Sequence, residues 1–137
     1  MQQQVFALPV RVYYEDTDAG GVVYYANYLK FMERARTEWL RTLGFEQDQL
    51  ARREGVVFAV RSAQLDFLKP ARFNDLLDVS VAVTARGGAS VTFGQSVRRA
   101  GVALCEGTVR VACLSADSFT PHAWPAALAA RLEEVTT

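Results

Sequence analysis

Asn27-Tyr28-Leu29-Lys30-Phe31-Met32-Glu33-Arg34-Ala35-Arg36-Thr37-Glu38-Trp39-Leu40-Arg41-Thr42-Leu43-Gly44 carries the longest helical period in the chain. Tyr28, Met32, Ala35, Trp39 and Leu43 recur at i, i+4 and i+7 spacing, and Phe31 and Leu40 widen the stripe. Lys30, Glu33, Arg34, Thr37, Glu38 and Arg41 take the opposite face. Asn27 is a suitable N-cap and Gly44 a suitable stop. The spacing predicts one amphipathic helix of about 17 residues, about 25 Å long.

Upstream, Phe6, Leu8, Val10, Val12 and Tyr14 alternate with Ala7, Pro9, Arg11 and Tyr13, which reads as a first strand with one buried face. Downstream, a short helical turn is expected over 46–53. Ala59, Arg61, Ala63, Leu65 and Phe67 then alternate with Ser62, Gln64 and Asp66, up to the turn Lys69-Pro70-Ala71-Arg72-Phe73-Asn74-Asp75. Leu77, Val79, Val81, Val83 and Ala85 share the face of a further strand. Gly87-Gly88 signals a hairpin, Val91, Phe93 and Val97 continue the pattern, and Ala100-Gly101 marks another tight turn. A last strand is expected over 103–114, and a short closing helix over 123–133, near Pro121 and Pro125. The order is strand, long helix, then four strands, three of them consecutive and mostly hairpin-linked. That predicts a mainly antiparallel sheet with one helix on one face, a two-layer α+β domain.

The chain has 137 residues, enough for one domain (1–137) with a core that needs no metal or disulfide staple. Lysine plus arginine equals aspartate plus glutamate at 15 each, so the basic excess of a general nucleic-acid binder is missing. Met1-Gln2-Gln3-Gln4 has no positive charge and no long apolar run follows, so neither a secretory signal nor a transmembrane helix is expected. The cytosol is the default location. Cys105 and Cys113, on one strand, would lie about 26 Å apart, too far for an intrachain disulfide. With His122 the only histidine, no zinc site and no metal are expected, and nothing implies a cofactor.

Between the first strand and the long helix lies Tyr13-Tyr14-Glu15-Asp16-Thr17-Asp18-Ala19-Gly20-Gly21-Val22-Val23-Tyr24-Tyr25-Ala26-Asn27-Tyr28. A carboxylate here neighbours a helix N-terminus, with its free N–H groups and partial positive charge. Two glycines let a ligand approach the backbone. Donors that hold a developing oxyanion, beside a carboxylate that attacks or activates water, are what acyl transfer needs. By local spacing alone, an Asp-Thr-Asp run between a strand and a helix is more often an Asx turn or cap than a catalytic group, and Asp16 in particular reads as a turn residue.

The whole segment, Asp-x-Asp-x-x-Gly-x-Val-x-Tyr-x-x-Asn-Tyr followed by Leu29-Lys30-Phe31-Met32-Glu33, resembles the 4-hydroxybenzoyl-CoA thioesterase group of hotdog proteins. It is closer still to the bacterial Tol–Pal-associated branch called YbgC. The resemblance continues through Arg34-Ala35-Arg36-Thr37-Glu38-Trp39-Leu40, returns at Leu65-Asp66-Phe67-Leu68-Lys69-Pro70-Ala71-Arg72-Phe73-Asn74-Asp75, and fades in the C-terminal tail. It implies a five-stranded antiparallel sheet wrapped around one long central helix. It further implies dimers formed through a continuous sheet, often assembled into tetramers, with active sites at the dimer interface. The family's catalytic carboxylate falls on Asp18, its oxyanion N–H on Tyr25, and a tyrosine seen in the YbgC branch on Tyr14. That branch usually has histidine at the Tyr25 position, whereas some 4-hydroxybenzoyl-CoA thioesterases carry tyrosine there. Activity is therefore expected from the aspartate and the backbone N–H, with a substrate preference not set by the histidine-bearing branch.

The resulting expectation is hydrolysis of an acyl-CoA thioester. An acyl group delivered on acyl carrier protein is a second reading, though no positive docking patch stands out. A third is a non-catalytic hotdog scaffold that binds an acyl ligand or a partner, with Asp18 only capping its turn. A dehydratase would need an Asp/His or Glu/His pair, which the lone His122 is badly placed to supply. Glu33 reads as a solvent or ion-pair residue near Arg36 and Thr37, and His122 as a surface residue. Lys69, Arg72, Arg98 and Arg99 suit CoA phosphates and ordinary surface roles equally.

Overall fold

The computed structural model describes residues 6–136, so Met1-Gln2-Gln3-Gln4 lies outside the described residues. The elements are β1 (Phe6–Arg11), a 3-10 turn (Tyr14–Asp16), α1 (Asn27–Thr42), α2 (Gln47–Glu54), β2 (Val56–Phe67), β3 (Leu76–Arg86), β4 (Ser90–Arg99), β5 (Val102–Ser115) and α3 (Ala126–Val135). Five strands form one sheet in the order β1-β3-β4-β5-β2, and every pairing is antiparallel. The β4–β5 turn places Ala100 and Gly101 at φ 49° and 82°, the paired positive angles that match the twist of adjoining strands.

Leu77, Val79, Val81 and Val83 of β3, Val91, Phe93 and Val97 of β4, and Val109 and Val111 of β5 are buried in one cluster with the α1 stripe. Tyr28, Phe31, Met32, Ala35, Trp39 and Leu40 supply the helix side, and Trp39 meets Phe93 edge-on at 5.3 Å. This is the expected α+β hotdog arrangement, with five antiparallel strands around one long helix. The two edges of the sheet differ. β1 has six residues and contains Pro9, whereas β2 has twelve and no proline.

Several boundaries depart from the sequence reading. The first strand ends at Arg11, although its alternation holds to the buried Val12. Tyr14 instead opens the 3-10 turn, because the Tyr13 N–H donates to Asp16 Oδ2 at 2.8 Å and pulls the chain round. Asn27 is not the cap of α1. The cap position falls on Ala26, and Asn27 donates its Nδ2 to the Asp16 carbonyl. The β2 alternation is interrupted by an irregularity between Val60 and Ser62, and its edge position leaves Arg61, Ala63 and Phe67 exposed. A similar irregularity after Val83 leaves Ala85 exposed. α3 starts after Pro125, since proline is tolerated at a helix entry and not inside it.

Gln95 and Arg36 form a polar pair at the edge of the core. Arg36 Nη1 donates to Gln95 Oε1 at 2.9 Å, while Gln95 Nε2 donates to the Met32 and Ser80 carbonyls. Cys105 and Cys113 are both buried and free. Burial pushes the Cys105 thiol up to about 12, aided by Asp66 and Glu106, and the Cys113 thiol up to about 11.

Candidate active site

The loop from Tyr14 to Ala26 is built almost entirely from main-chain bonds. Thr17 pairs with Val23 and Val22 with Arg72, while the Val23 N–H donates to the Ala71 carbonyl at 2.8 Å. The Asp18 N–H donates to Val22, the Tyr24 N–H donates to Asp16, and the Gly21 N–H closes a turn onto the Asp18 carbonyl. Gly21 sits at φ 80°, where a β-carbon is strained, so glycine makes this turn possible. Residues 16–18 and 22–24 are thereby zipped into two limbs. Asp18 lies near the tip of one, and Tyr25 follows the end of the other.

Asp18 is exposed, and its Oδ1 accepts from the Gly20 N–H at 2.8 Å. That bond makes an Asx turn and fixes the carboxylate's direction. Oδ2 accepts no hydrogen bond among the described residues. Asp16 serves the backbone, accepting from Tyr13 through its side chain and from Tyr24 and Asn27 through its carbonyl.

The first N–H groups of α1 are already engaged. Asn27, Tyr28 and Leu29 donate to the carbonyls of Tyr24, Tyr25 and Ala26 in tight i to i−3 bonds. The N–H groups of Tyr25 and Ala26 donate to nothing among the described residues. The Tyr25 side chain lies 4.8 Å from the Tyr24 ring and meets Phe67 at 6.2 Å edge-on. The hydrogen bond to Tyr25, followed by charge repulsion from it, raises the Tyr24 phenol above its ordinary value.

The loop rests on a rigid floor. Tyr28 Oη accepts from the Ala71 N–H at 3.1 Å, and burial raises the Tyr28 phenol. Asp75 Oδ2 accepts from the Arg72 N–H at 2.8 Å and from Arg99 Nη1 at 2.6 Å. Burial by itself would raise the Asp75 carboxyl, but the Arg72 N–H and the Arg99 guanidinium outweigh it and hold the value below the ordinary one. Arg99 is thus committed within the chain, and Arg98 pairs with Glu106. Lys69 and the Arg72 side chain make no ion pair among the described residues.

Asp18 and Tyr25 share this loop, whereas the Tyr14 ring is 76% exposed and stacks on Phe73 at 3.8 Å. Tyr14 is hydrogen-bonded to neither through its hydroxyl. Glu33 is exposed on α1 and accepts from Thr37. His122 is exposed in the loop before α3, its Nδ1 2.7 Å from the Ala123 carbonyl. The aromatic surround formed by Tyr24, Phe67 and Phe73 escaped the sequence reading. Tyr24 lies in the first quoted motif and Phe67 and Phe73 in the second, about forty residues on, and nothing in either pattern alone says that the two meet.

Comparison with known proteins agrees with this architecture. Residues 20–106 match the model of the thioesterase superfamily. The chain is 48% identical over 120 residues to the acyl-CoA thioesterase YbgC of Haemophilus influenzae, covering 88% of each. It is 42% identical over 135 residues to the acyl-CoA thioester hydrolase YbgC of Escherichia coli O6:H1, covering 98% of this chain and 100% of that one. The crystal structure of a probable thioesterase from Bartonella henselae superposes with a TM-score of 0.85 at 34% identity, covering 89% of this chain and 100% of that one. The chain belongs to the thioesterase superfamily, in its YbgC branch.

Proposed function

We propose that residues 1–137 act as one thioesterase unit that hydrolyses acyl-CoA to a free acid and CoA, with Asp18 and the Tyr25 N–H as its working groups. The observation that supports this reading most is the free Tyr25 N–H on the same glycine loop as the Asp18 carboxylate. The thioester carbonyl accepts from the Tyr25 N–H, which holds the negative charge that develops on its oxygen. Asp18 supplies the carboxylate, either attacking the carbonyl carbon or taking a proton from the water that does. Where Asp18 acts as the base, the C–S bond breaks and the proton taken from water passes to the departing CoA sulfur. Where Asp18 attacks, C–S cleavage leaves an acyl–Asp18 anhydride. Water opens it to the free acid and the Asp18 carboxylate, a proton of that water going to the CoA thiolate. Tyr14, stacked on Phe73, flanks the reacting group.

The same reading includes assembly. A twelve-residue edge strand without proline exposes unpaired main-chain groups along its free side, an arrangement that folded chains normally cover. A second copy pairing along β2 covers it and shields Phe67, which is 52% exposed in the single chain and touches Tyr25. Two such pairs form the tetramer.

The test is steady-state release of CoA for the wild type and Asp18→Asn. Acetyl- to palmitoyl-CoA, benzoyl- and 4-hydroxybenzoyl-CoA, and an acyl-carrier-protein thioester serve as substrates. Asp18→Asn folds normally and loses at least about 10²-fold in turnover, the scale of losing one oxyanion donor. Wild-type turnover in the mutant removes Asp18 from the chemistry. Turnover confined to the carrier-protein thioester replaces acyl-CoA as the substrate.

A further inference from the structure

Asn27 is 8% exposed, one of three buried polar residues among those described, beside Gln95 and Ser96. It opens α1 without capping it, since the cap position falls on Ala26 and no side chain makes a capping bond there. Its main-chain N–H closes a turn onto the Tyr24 carbonyl at 2.8 Å. Its side-chain Nδ2 reaches back eleven residues and donates to the Asp16 carbonyl, also at 2.8 Å. The buried amide thus serves the glycine loop and not its own helix.

The Asp16 carbonyl oxygen accepts a second donor, the Tyr24 N–H at 3.0 Å. Tyr24 and Asn27 are therefore pinned to one oxygen, and the short bow of chain between them is Tyr25 and Ala26. Those two residues carry the N–H groups that donate to nothing among the described residues. Peptide units are planar, so a bow held at both ends on a single atom keeps its N–H groups in one direction. Asp18 stands two residues beyond Asp16 on the same limb, where its own N–H donates to Val22. The Asp16 carbonyl is thus the common anchor of the free N–H groups and of the Asp18 carboxylate. Without the Asn27 amide that carbonyl still holds the Tyr24 N–H, so no acceptor is orphaned and the loss falls on geometry.

We propose that Asn27 is a positioning residue, its side-chain amide setting the Tyr25 N–H relative to the Asp18 carboxylate. This inference rests on the thioesterase reading above and adds to it the group that holds its two working parts in register. An oxyanion donor acts only if it is already in place when the charge develops. A displacement of about 1 Å costs up to about 10²-fold in rate. The interaction strengthens in the transition state, so its loss lowers kcat and leaves KM nearly unchanged.

The test is steady-state CoA release from the acyl-CoA that the wild type turns over fastest, with urea unfolding of every variant alongside. Asn27→Leu, close to asparagine in size but without a donor, lowers kcat about 10- to 10²-fold and keeps KM within about twofold. Asn27→Ala, which also fits where leucine is too bulky to fold, does the same. Asn27→Gln retains an amide donor on a longer stem and recovers kcat to within about fivefold of the wild type. Wild-type kcat in folded Asn27→Leu or Asn27→Ala overturns the inference. So does lost stability with kcat per folded molecule unchanged, which is the mark of a purely structural side chain. Equal loss in Asn27→Gln and Asn27→Leu overturns it too, because the amide donor would then not be what matters. Asp18→Asn in the same assay separates the two levels of the argument. Wild-type turnover there removes the thioesterase roles themselves, whereas an inactive Asp18→Asn beside a fully active Asn27→Leu removes only the role of Asn27.

Discussion

Tyr25 enters the proposed chemistry through its main chain, because its N–H is free while its ring packs between Tyr24 and Phe67. Tyr25→Phe keeps that N–H and both ring contacts, so kcat stays within about threefold of wild type, far from the 10²-fold of a lost oxyanion donor. A collapse of kcat in Tyr25→Phe would assign the phenol a direct part. The two cysteines lead to a second expectation. Both are buried with raised thiol values, so a thiol reagent added to the native protein modifies neither, and both react once the chain is denatured. Rapid labelling of the native chain would show that β5 opens. At this scale Asp18 was legible because it falls within a long motif whose glycines and tyrosines match together. The partnership of Arg36 with Gln95 was not, since the two stand 59 positions apart and neither lies in a local pattern. Tyr14 was read into the strand because alternation alone cannot register Asp16 reaching back to the Tyr13 N–H.

Among the elements, the turn between β2 and β3 is tied down by an ion pair with β4. Asp75 ties the Arg72 main chain to Arg99 on β4, and Arg72 in turn pairs with Val22 of the glycine loop that carries Asp18. The Asp75 carboxyl is held below its ordinary value in the fold, so the ionised form stabilises the native state. That contribution is complete above the unfolded value near 4, and it drains away as pH falls through the lower folded value. Asp75→Asn therefore destabilises the protein by roughly 1–3 kcal/mol at pH 7. The gap between mutant and wild type closes on acidification, as followed by urea unfolding at successive pH values. A gap independent of pH would show that the side chain acts through shape alone. The helices and the β3-β4-β5 hairpins were readable from period and glycine signals, because each rests on local backbone preference. The exposed face of β2 was not, since a single irregularity at Val60–Ser62 shifts the phase, and edge position depends on strand order that no single segment encodes.

For the whole molecule, the proposed pairing along β2 makes mass the informative quantity. Light scattering across a range of concentrations is expected to give two or four times the mass of one chain, and a monomer at every concentration would rule the pairing out. The difference between the two sheet edges then sets a limit on growth. Pairing of β2 with its own copy about a two-fold axis uses up the long edge of both chains. What remains at either end is β1, six residues long and interrupted by Pro9, which has no N–H to offer an incoming strand. Such a sheet has no template left for a third chain, so strand addition terminates at two copies instead of running on into a fibre.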